Sequence, residues 1–174
     1  TKGALTAVKQ IAEMKVDVPM LAMTHCDAAK LSKQHGKKAE YALCASQWHK
    51  TLSYTDAFFK DGMTYDADFK KAFGYAPPYQ AAESSAALLV YKDAFERAND
   101  FNTKKVRNAL AKTDMQTFYG NIKFAKGGQN VSKPMVLFQV ICNSDGSKCE
   151  NKVVAPTKWA SAALVHPTPS WSKR

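Results

Sequence analysis

A long helix that begins directly after two prolines constrains the fold of this chain more than any other feature. Pro77-Pro78 fix the backbone before Tyr79, and the pattern that follows predicts a helix to Asn99. One narrow face of this helix carries mostly small residues: Ala82, Ala86, Leu89, Val90 and Ala94. We therefore expect another element to pack closely against it. A short helix from Asn102 or Thr103 to Lys112 and a strand that opens at Gly120 follow.

The N-terminal part of the chain alternates between helix and strand patterns. Residues 3–14 have helical periodicity, and a short apolar strand, Leu21–Thr24, follows Pro19. A second helix, Asp27–Gln34, precedes a second strand, Tyr41–Ala45. This alternation predicts an α/β fold with parallel strands.

The C-terminal part is rich in strand patterns. Strands are predicted near Ile122–Phe124, Met135–Ile141 and Lys152–Ala155, with turns at Lys126-Gly-Gly and Asp145-Gly. We expect two or three antiparallel strands here, followed by an extended proline-containing strap over residues 156–174.

The charge of the chain argues against a nucleic-acid partner. The net charge is +10, but the 25 Lys and Arg are scattered, with no cluster longer than a pair. A diffuse positive field favours a small anionic solute or simply solubility. No apolar run approaches the roughly 18 residues that a membrane span needs. The chain starts inside a helical pattern, so we expect the true N-terminus to lie upstream, and export is compatible with the missing signal.

The four cysteines fall into two kinds. Cys142 and Cys149 flank a hairpin turn, which predicts a disulfide and an oxidising compartment, although the same pair would be reduced in a cytosol. Cys26 and Cys44 have no such local geometry, and free thiols are the expectation. Spacings typical of zinc ligands are missing, so we predict no metal and no cofactor. A Cys26 nucleophile with His25 or His49 as its base is the enzyme alternative.

Polar and aromatic residues follow the two N-terminal strands. His25 and Cys26 come after the first strand, and Gln47 and Trp48 after the second. In open α/β sheets ligands bind beyond the carboxyl ends of the strands, so these four are candidate ligand-binding residues. Trp48 has two interpretations, a ring that stacks on the ligand or one that packs beneath a loop.

The start of the long helix supplies two more candidates. Tyr79 and Gln80 lie in its first turn, where free N–H groups favour an anion. Glu83 lies one turn further and is expected to pair with a cation or cap the helix. Asn130 begins a glycosylation sequon to which we assign no role.

Several stretches together resemble one family. They are Ala45–Trp48, Phe73–Glu83, Val106–Gly120, Lys133–Val136 and Ala155–Trp159. In unbroken order they look like the C-terminal half of a periplasmic solute-binding protein of the branched-chain amino acid type, which serves ABC transporters. The resemblance implies the two-lobed type I periplasmic binding protein fold, a periplasmic location, and a clamp that closes on a small solute and docks to a permease in the inner membrane. Such a protein is not an enzyme; a receptor's ligand-sensing domain is the nearest alternative.

The resemblance also implies how the chain is divided. Residues 1–56 would belong to the second lobe, residues 57–116 would return to the first, and residues 117–174 would complete the second as a β-rich tail. Most of the first lobe would then be missing, and we expect the N-terminal portion of the same protein to be a partner of this chain.

The resemblance further implies a ligand hypothesis. Relatives that bind branched-chain amino acids are expected to hold the ligand ammonium on an acid after the first strand, a position that falls on His25 here. Without that carboxylate an ammonium would be costly to bury. We therefore predict a carboxylate ligand, aromatic in the simplest case, held by Tyr79 and Gln80 with Trp48 on its ring. If Asp27 or Glu83 enters the pocket, an amino acid remains open.

Overall fold

The computed structural model describes residues 2–24, 26, 28–133 and 135–173. The helices are α1 (Lys2–Glu13), α2 (Ala28–His35), α3 (Gly62–Phe73), α4 (Tyr79–Ala98) and α5 (Thr103–Leu110). The strands are β1 (Ala22–Met23), β2 (Leu43–Ser46), β3 (Thr55–Asp56), β4 (Lys60–Asp61), β5 (Asp114–Thr117), β6 (Gly120–Lys123), β7 (Val136–Cys142) and β8 (Cys149–Ala155). Short 3₁₀ turns cover Gly36–Ala39, Thr157–Trp159 and Trp171–Lys173. No helix in the described part of the chain is long and apolar enough to cross a membrane.

The chain forms two compact units. Unit 1 comprises Thr1–Ser46 and Met135–Arg174, and unit 2 comprises Gln47–Pro134. The predicted division after residues 56 and 116 concerns the lobes of the whole protein and stays a prediction. Within unit 2 the β3–β4 and β5–β6 hairpins pack on each other, a long-range contact with no local sequence signal. Which lobe each unit represents stays a prediction.

Unit 1 is built on a four-stranded sheet in the order β1-β2-β7-β8. β1 and β2 are parallel, as the α/β alternation predicted, and β7 runs antiparallel to both β2 and β8. The central strands are apolar because both of their faces are covered, and the fully buried side chains include Leu31, Leu43, Val140 and Val153. The β7–β8 hairpin is the antiparallel tail that the sequence predicted.

Two disulfides stabilise unit 1. Cys142 and Cys149 pair across the β7–β8 hairpin, as expected. The prediction of free thiols at Cys26 and Cys44 was wrong, because these two residues also form a disulfide, with Cα atoms 5.6 Å apart. The parallel register of β1 and β2, which sets Met23 beside Cys44, brings them together. That pairing is a tertiary contact with no local turn signal.

The C-terminal strap lies along unit 1. The Trp171 indole Nε1 donates to the Val16 carbonyl at 3.0 Å, and the Trp171 amide donates to the Asp17 carboxylate at 2.9 Å. Further back, the Gln139 side chain both accepts from the Val165 amide and donates to its carbonyl. Because Gln139 is fully buried, this pairing with the strap satisfies a polar group inside the sheet.

Unit 2 holds three helices with well-defined ends. The Asp61 carboxylate accepts from the Thr64 amide and caps α3, which ends at Gly74 in the left-handed conformation. α4 begins after Pro78 and buries Ala82, Ala86, Val90 and Ala94, while Leu89 is half-buried. The small-residue face therefore packs as predicted, and α5 lies against α4. Asn102 caps α5 by accepting from two amides.

Two hairpins and a ring cluster complete unit 2. β3 pairs with β4, and β5 pairs with β6. The strand predicted at Ile122–Phe124 is thus part of a hairpin with β5 and not of the C-terminal tail. Residues 46–65 are rich in aromatic side chains and supply most of a cluster of rings, which we call the aromatic core: Trp48, Phe59, Tyr65 and Phe118.

Candidate functional site

The candidates after β1 lie in unit 1. His25 lies outside the described residues, as does Asp27. Cys26 is half-buried, and its sulfur is bonded to that of Cys44. A nucleophile must be a thiolate, so the disulfide leaves Cys26 unable to act as one. The Cys26 enzyme alternative has no reactive group in this structure.

The candidates after β2 open unit 2. Gln47 is half-buried and lines a cavity described below. Trp48 is only 5% exposed, and its ring meets the edges of Tyr65 and Phe118 at centroid distances of 5.8 and 6.1 Å. These contacts support the packing interpretation of Trp48. A stacking role would require the ring to be uncovered, and it stays a prediction.

His49, next in the chain, is held as a neutral side chain. Its Nδ1 lies 2.7 Å from the Thr51 hydroxyl. Burial lowers the pKa of His49 to about 4, the neighbouring Lys50 charge acts in the same direction, and Asp66 opposes them. His49 is therefore uncharged at neutral pH and, as a neutral group, adds no charge to a site.

We expect His49 to make the folded state sensitive to acid. The unfolded side chain takes up a proton below about pH 6.5 and the folded one only near pH 4, so stability is lost as the pH falls between these values. The loss should be on the order of 2 kcal/mol. Denaturant unfolding measured at about pH 6.5 and about pH 4 should show a smaller loss of unfolding free energy in His49→Gln than in wild type. The exposed His166 gives the matched control, His166→Gln, and an equal loss in wild type and His49→Gln would contradict the assignment.

The candidates at the start of α4 differ in their environment. Tyr79 is half-buried and lies near enough to Tyr119 to affect its ionisation, whereas Gln80 is exposed. Glu83, one turn further, lines the same cavity as Gln47. Of the residues considered from the sequence, the structure brings Gln47 and Glu83 to one place and leaves Trp48 in the aromatic core.

This cavity, which we call the Lys133 cavity, has a volume of about 480 Å³ and lies entirely within unit 2. Its apolar wall comes from α4, the end of α5, and β6 with the residue after it: Ala86, Ala87, Val90, Leu110, Ile122 and Phe124. Its polar lining consists of Gln47, Glu83, Tyr91, Tyr119, Asn130 and Lys133. The volume is in the range of small-molecule sites, and a mostly apolar wall with few polar groups is their usual composition.

Lys133 is the cationic group of the cavity. Its ammonium donates to the Gln47 carbonyl and lies 4.2 Å from the centre of the Tyr119 ring. Its methylene groups cover Gly120, where any Cβ would overlap them and where φ is +147°. The backbone conformation favours glycine at this position, and any larger residue would have to displace the lysine stem.

The charges around the cavity act on one another. Burial lowers the pKa of Lys133 to about 8, and the Glu83 carboxylate opposes this shift. Burial also raises the pKa of the Tyr119 hydroxyl, and the charges of Glu83 and Tyr79 add to that rise. At neutral pH the cavity therefore contains an ammonium, a carboxylate and a neutral phenol. This set can bind an anion at Lys133 or a cation at Glu83.

Asn130 also lines the cavity, and its side chain is engaged in the local fold. Its oxygen accepts from the Lys123 amide at 3.1 Å and from the Ser132 amide at 3.2 Å, and its amide group donates to the Asn121 carbonyl at 3.1 Å. These bonds tie the segment before Lys133 to β6. Asn130 thereby helps to position Lys133.

The sequence did not single out Lys133 or Tyr119. Lys133 is one of 25 basic residues, and no local pattern separates it from the others. Gly120 was noted only as a strand opening, although its place after two aromatic residues was the available signal. Among the described residues, no group of three or more His, Cys, Asp or Glu side chains could hold a metal ion.

Both the sequence and the fold of this chain are similar to those of known binding proteins. A family model described as "Periplasmic binding protein" matches residues 1–147. Among solved structures, a leucine-binding protein from Thermotoga maritima is 20% identical, with a TM-score of 0.67 over 88% of this chain and 42% of that chain. A leucine-, isoleucine-, valine-, threonine- and alanine-binding protein from Brucella ovis is 16% identical, with a TM-score of 0.71 over 97% and 44%. This chain therefore spans less than half the length of these structures.

Proposed function

This chain belongs to the periplasmic binding protein family, and from that premise we propose that it is part of an extracytoplasmic solute-binding protein of an ABC transporter. The family match over residues 1–147 is the observation that carries the proposal. The family is one of binding proteins, so the chain is assigned to a binding class and not to an enzyme. The predicted α/β type I fold, of which this chain is a portion, is confirmed by the same comparisons.

The periplasm is the proposed location. The family name indicates a compartment outside the cytoplasm, and two disulfides in unit 1 are typical of an oxidising compartment. The proposed partners are a permease in the inner membrane and the N-terminal portion of the same protein. The second partner is supported by length, because the solved structures that resemble this chain are more than twice as long as it is.

The proposed ligand is a small carboxylate, either an aromatic acid or a branched-chain amino acid, clamped between two lobes. Structures of similar fold were solved with isoleucine and with leucine. The proposed ligand-binding residues are those that follow β1 and β2 and those that begin α4: His25, Cys26, Gln47, Trp48, Tyr79 and Gln80. Because Glu83 lines the Lys133 cavity, a counter-charge for an ammonium is available there, which supports the amino acid as much as the plain acid.

Thermal unfolding of the complete protein tests this proposal. A ligand that binds only the folded state raises the midpoint temperature of unfolding. At a ligand concentration of one hundred times the Kd, it stabilises the folded state by about 2.7 kcal/mol. We expect a shift with benzoate and related aromatic acids, or with leucine, isoleucine and valine, and no shift with the matched amides benzamide and leucinamide. Aromatic acids alone would support the site without an ammonium partner. No shift with any carboxylate would refute the proposal.

A further inference from the structure

The fold holds the amine of Lys133 in one place and partly removes it from water. Lys133 is half-buried and its stem covers Gly120. Its Nζ lies 4.2 Å from the centre of the Tyr119 ring and donates to the Gln47 carbonyl. Residues 47 and 133 are at opposite ends of unit 2 in sequence, so only the fold brings them together. The amine is thereby fixed in the lining of the Lys133 cavity.

The surroundings of this amine favour its neutral form. Among the described residues, no carboxylate forms an ion pair with the Lys133 ammonium, and its two named contacts are a carbonyl and a ring. Glu83 on α4 acts on the ammonium through space, and the Tyr119 ring comes from the turn between β5 and β6. Burial prevails over the Glu83 charge and lowers the pKa of Lys133 to about 8.

A lysine in this state is a nucleophile near neutral pH. At pH 7 an amine with a pKa of about 8 is neutral in roughly one molecule in ten, whereas a lysine in water is neutral in fewer than about one in a thousand. Only the neutral amine carries the lone pair that attacks a carbonyl carbon. Lysines desolvated in apolar pockets are those that form Schiff bases in proteins.

The cavity beside this amine indicates which carbonyl compound fits. Its volume is about 480 Å³, which is ample for a small molecule. Its apolar wall favours a hydrocarbon body, and the Glu83 carboxylate in the same lining disfavours a negatively charged one. The wall consists of Ala86, Ala87, Val90, Leu110, Ile122 and Phe124. The complementary reactant is a small, uncharged, apolar aldehyde.

We propose that Lys133 is a modification site at which a small apolar aldehyde forms an imine, with its hydrocarbon body in the Lys133 cavity. The Lys133 Nζ attacks the carbonyl carbon and forms the C–N bond. The carbonyl oxygen leaves as water with the two hydrogens of the neutral amine, and no oxidant or reductant is consumed. Because the cavity lies within unit 2, this inference is independent of the ligand that the proposed function clamps between two lobes.

Reductive trapping in the complete protein tests this inference, with butanal as the probe and cyanoborohydride to make the adduct permanent. Peptide mass spectrometry gives the ratio of adduct at Lys133 to adduct at the exposed Lys126 in the same sample. We expect a ratio of at least about ten at pH 7. In denaturant the ratio should approach one. Glycolaldehyde, which is small and polar, should give a lower ratio than butanal because it gains nothing from the apolar wall.

The pH dependence of this ratio separates neutral-amine chemistry from simple access. Above about pH 8 Lys133 is already mostly neutral, whereas a lysine in water keeps gaining neutral amine up to about pH 10. The ratio should therefore be constant below pH 8 and fall by roughly tenfold per pH unit above it. Glu83→Gln removes a charge that favours the ammonium, so the fall should begin at a lower pH than in wild type.

One variant removes the amine and keeps the positive charge. Lys133→Arg should carry no adduct at residue 133, because a guanidinium stays protonated, and its denaturant midpoint shows whether it is folded. A Lys133 to Lys126 ratio near one at pH 7, or a ratio that does not fall above pH 8, would overturn the inference. Neither outcome changes the result expected in the thermal unfolding test of the proposed function, so the two proposals fail separately.

Discussion

Replacing Phe118 by alanine should destabilise the protein by about 3–5 kcal/mol, the range for a large ring removed from a core. Phe118 is completely buried at the centre of the aromatic core, with ring centroids of Tyr65 at 4.3 Å, Phe59 at 5.0 Å and Trp48 at 6.1 Å. Its removal loses these contacts and leaves a cavity that three rigid rings cannot close. The measurement is the free energy of unfolding from denaturant titration.

Two variants make the Phe118 test specific. Phe101 is 87% exposed, so Phe101→Ala should cost less than about 1 kcal/mol. Phe118→Leu keeps part of the apolar volume and should lie between the two. Equal costs for Phe118→Ala and Phe101→Ala would show that the aromatic core does not stabilise unit 2.

Replacing Asp56 by alanine should destabilise the protein by about 2–3 kcal/mol. One carboxylate oxygen accepts from the Phe58 amide at 2.8 Å and from the Phe59 amide at 2.6 Å, and the other accepts from the Phe118 amide at 2.6 Å. The side chain thus joins the β3–β4 hairpin to the β5–β6 hairpin. Alanine would leave amide donors without an acceptor next to the aromatic core, and a buried unsatisfied donor is costly.

The Asp56 prediction has a graded control. Asp56→Asn keeps one acceptor oxygen and loses the charge, so its unfolding free energy should lie between those of wild type and Asp56→Ala. The exposed Asp68 on α3 provides a matched carboxylate, and Asp68→Ala should cost no more than about 0.5 kcal/mol. If Asp56→Ala costs no more than Asp68→Ala, the link between the hairpins is not a source of stability.

Most of the elements could be predicted from the sequence because their signals are local. The prolines before Tyr79, the Asn102 cap and the hairpin turn between Cys142 and Cys149 each act over a few residues. Local signals were weak around α3, which begins at Gly62 after the Asp61 cap, because this cap lies in a stretch of aromatic residues with no clean period.

The site was harder to predict than the fold. Gln47 was identified because it follows a strand, and it does line the cavity. Lys133 was not, since its distinguishing features are a ring at position 119, a glycine at 120 and a carbonyl at 47, all distant in sequence or contributed by backbone. The contacts and the pKa of a charged side chain depend on its environment in the fold, and the sequence shows the charge but not that environment.

The sequence by itself determined the helix periodicities, the caps, the small-residue face of α4 and the resemblance to a family, because each depends on neighbours within a few residues. The tertiary structure alone decided that Cys26 bonds to Cys44, that Trp48 is buried under rings, and that Lys133 lies half-buried beside Tyr119. The physical reason is that desolvation, ring packing and disulfide pairing depend on groups brought together by the fold. Their free energies are set by distance in space, which order along the chain does not specify.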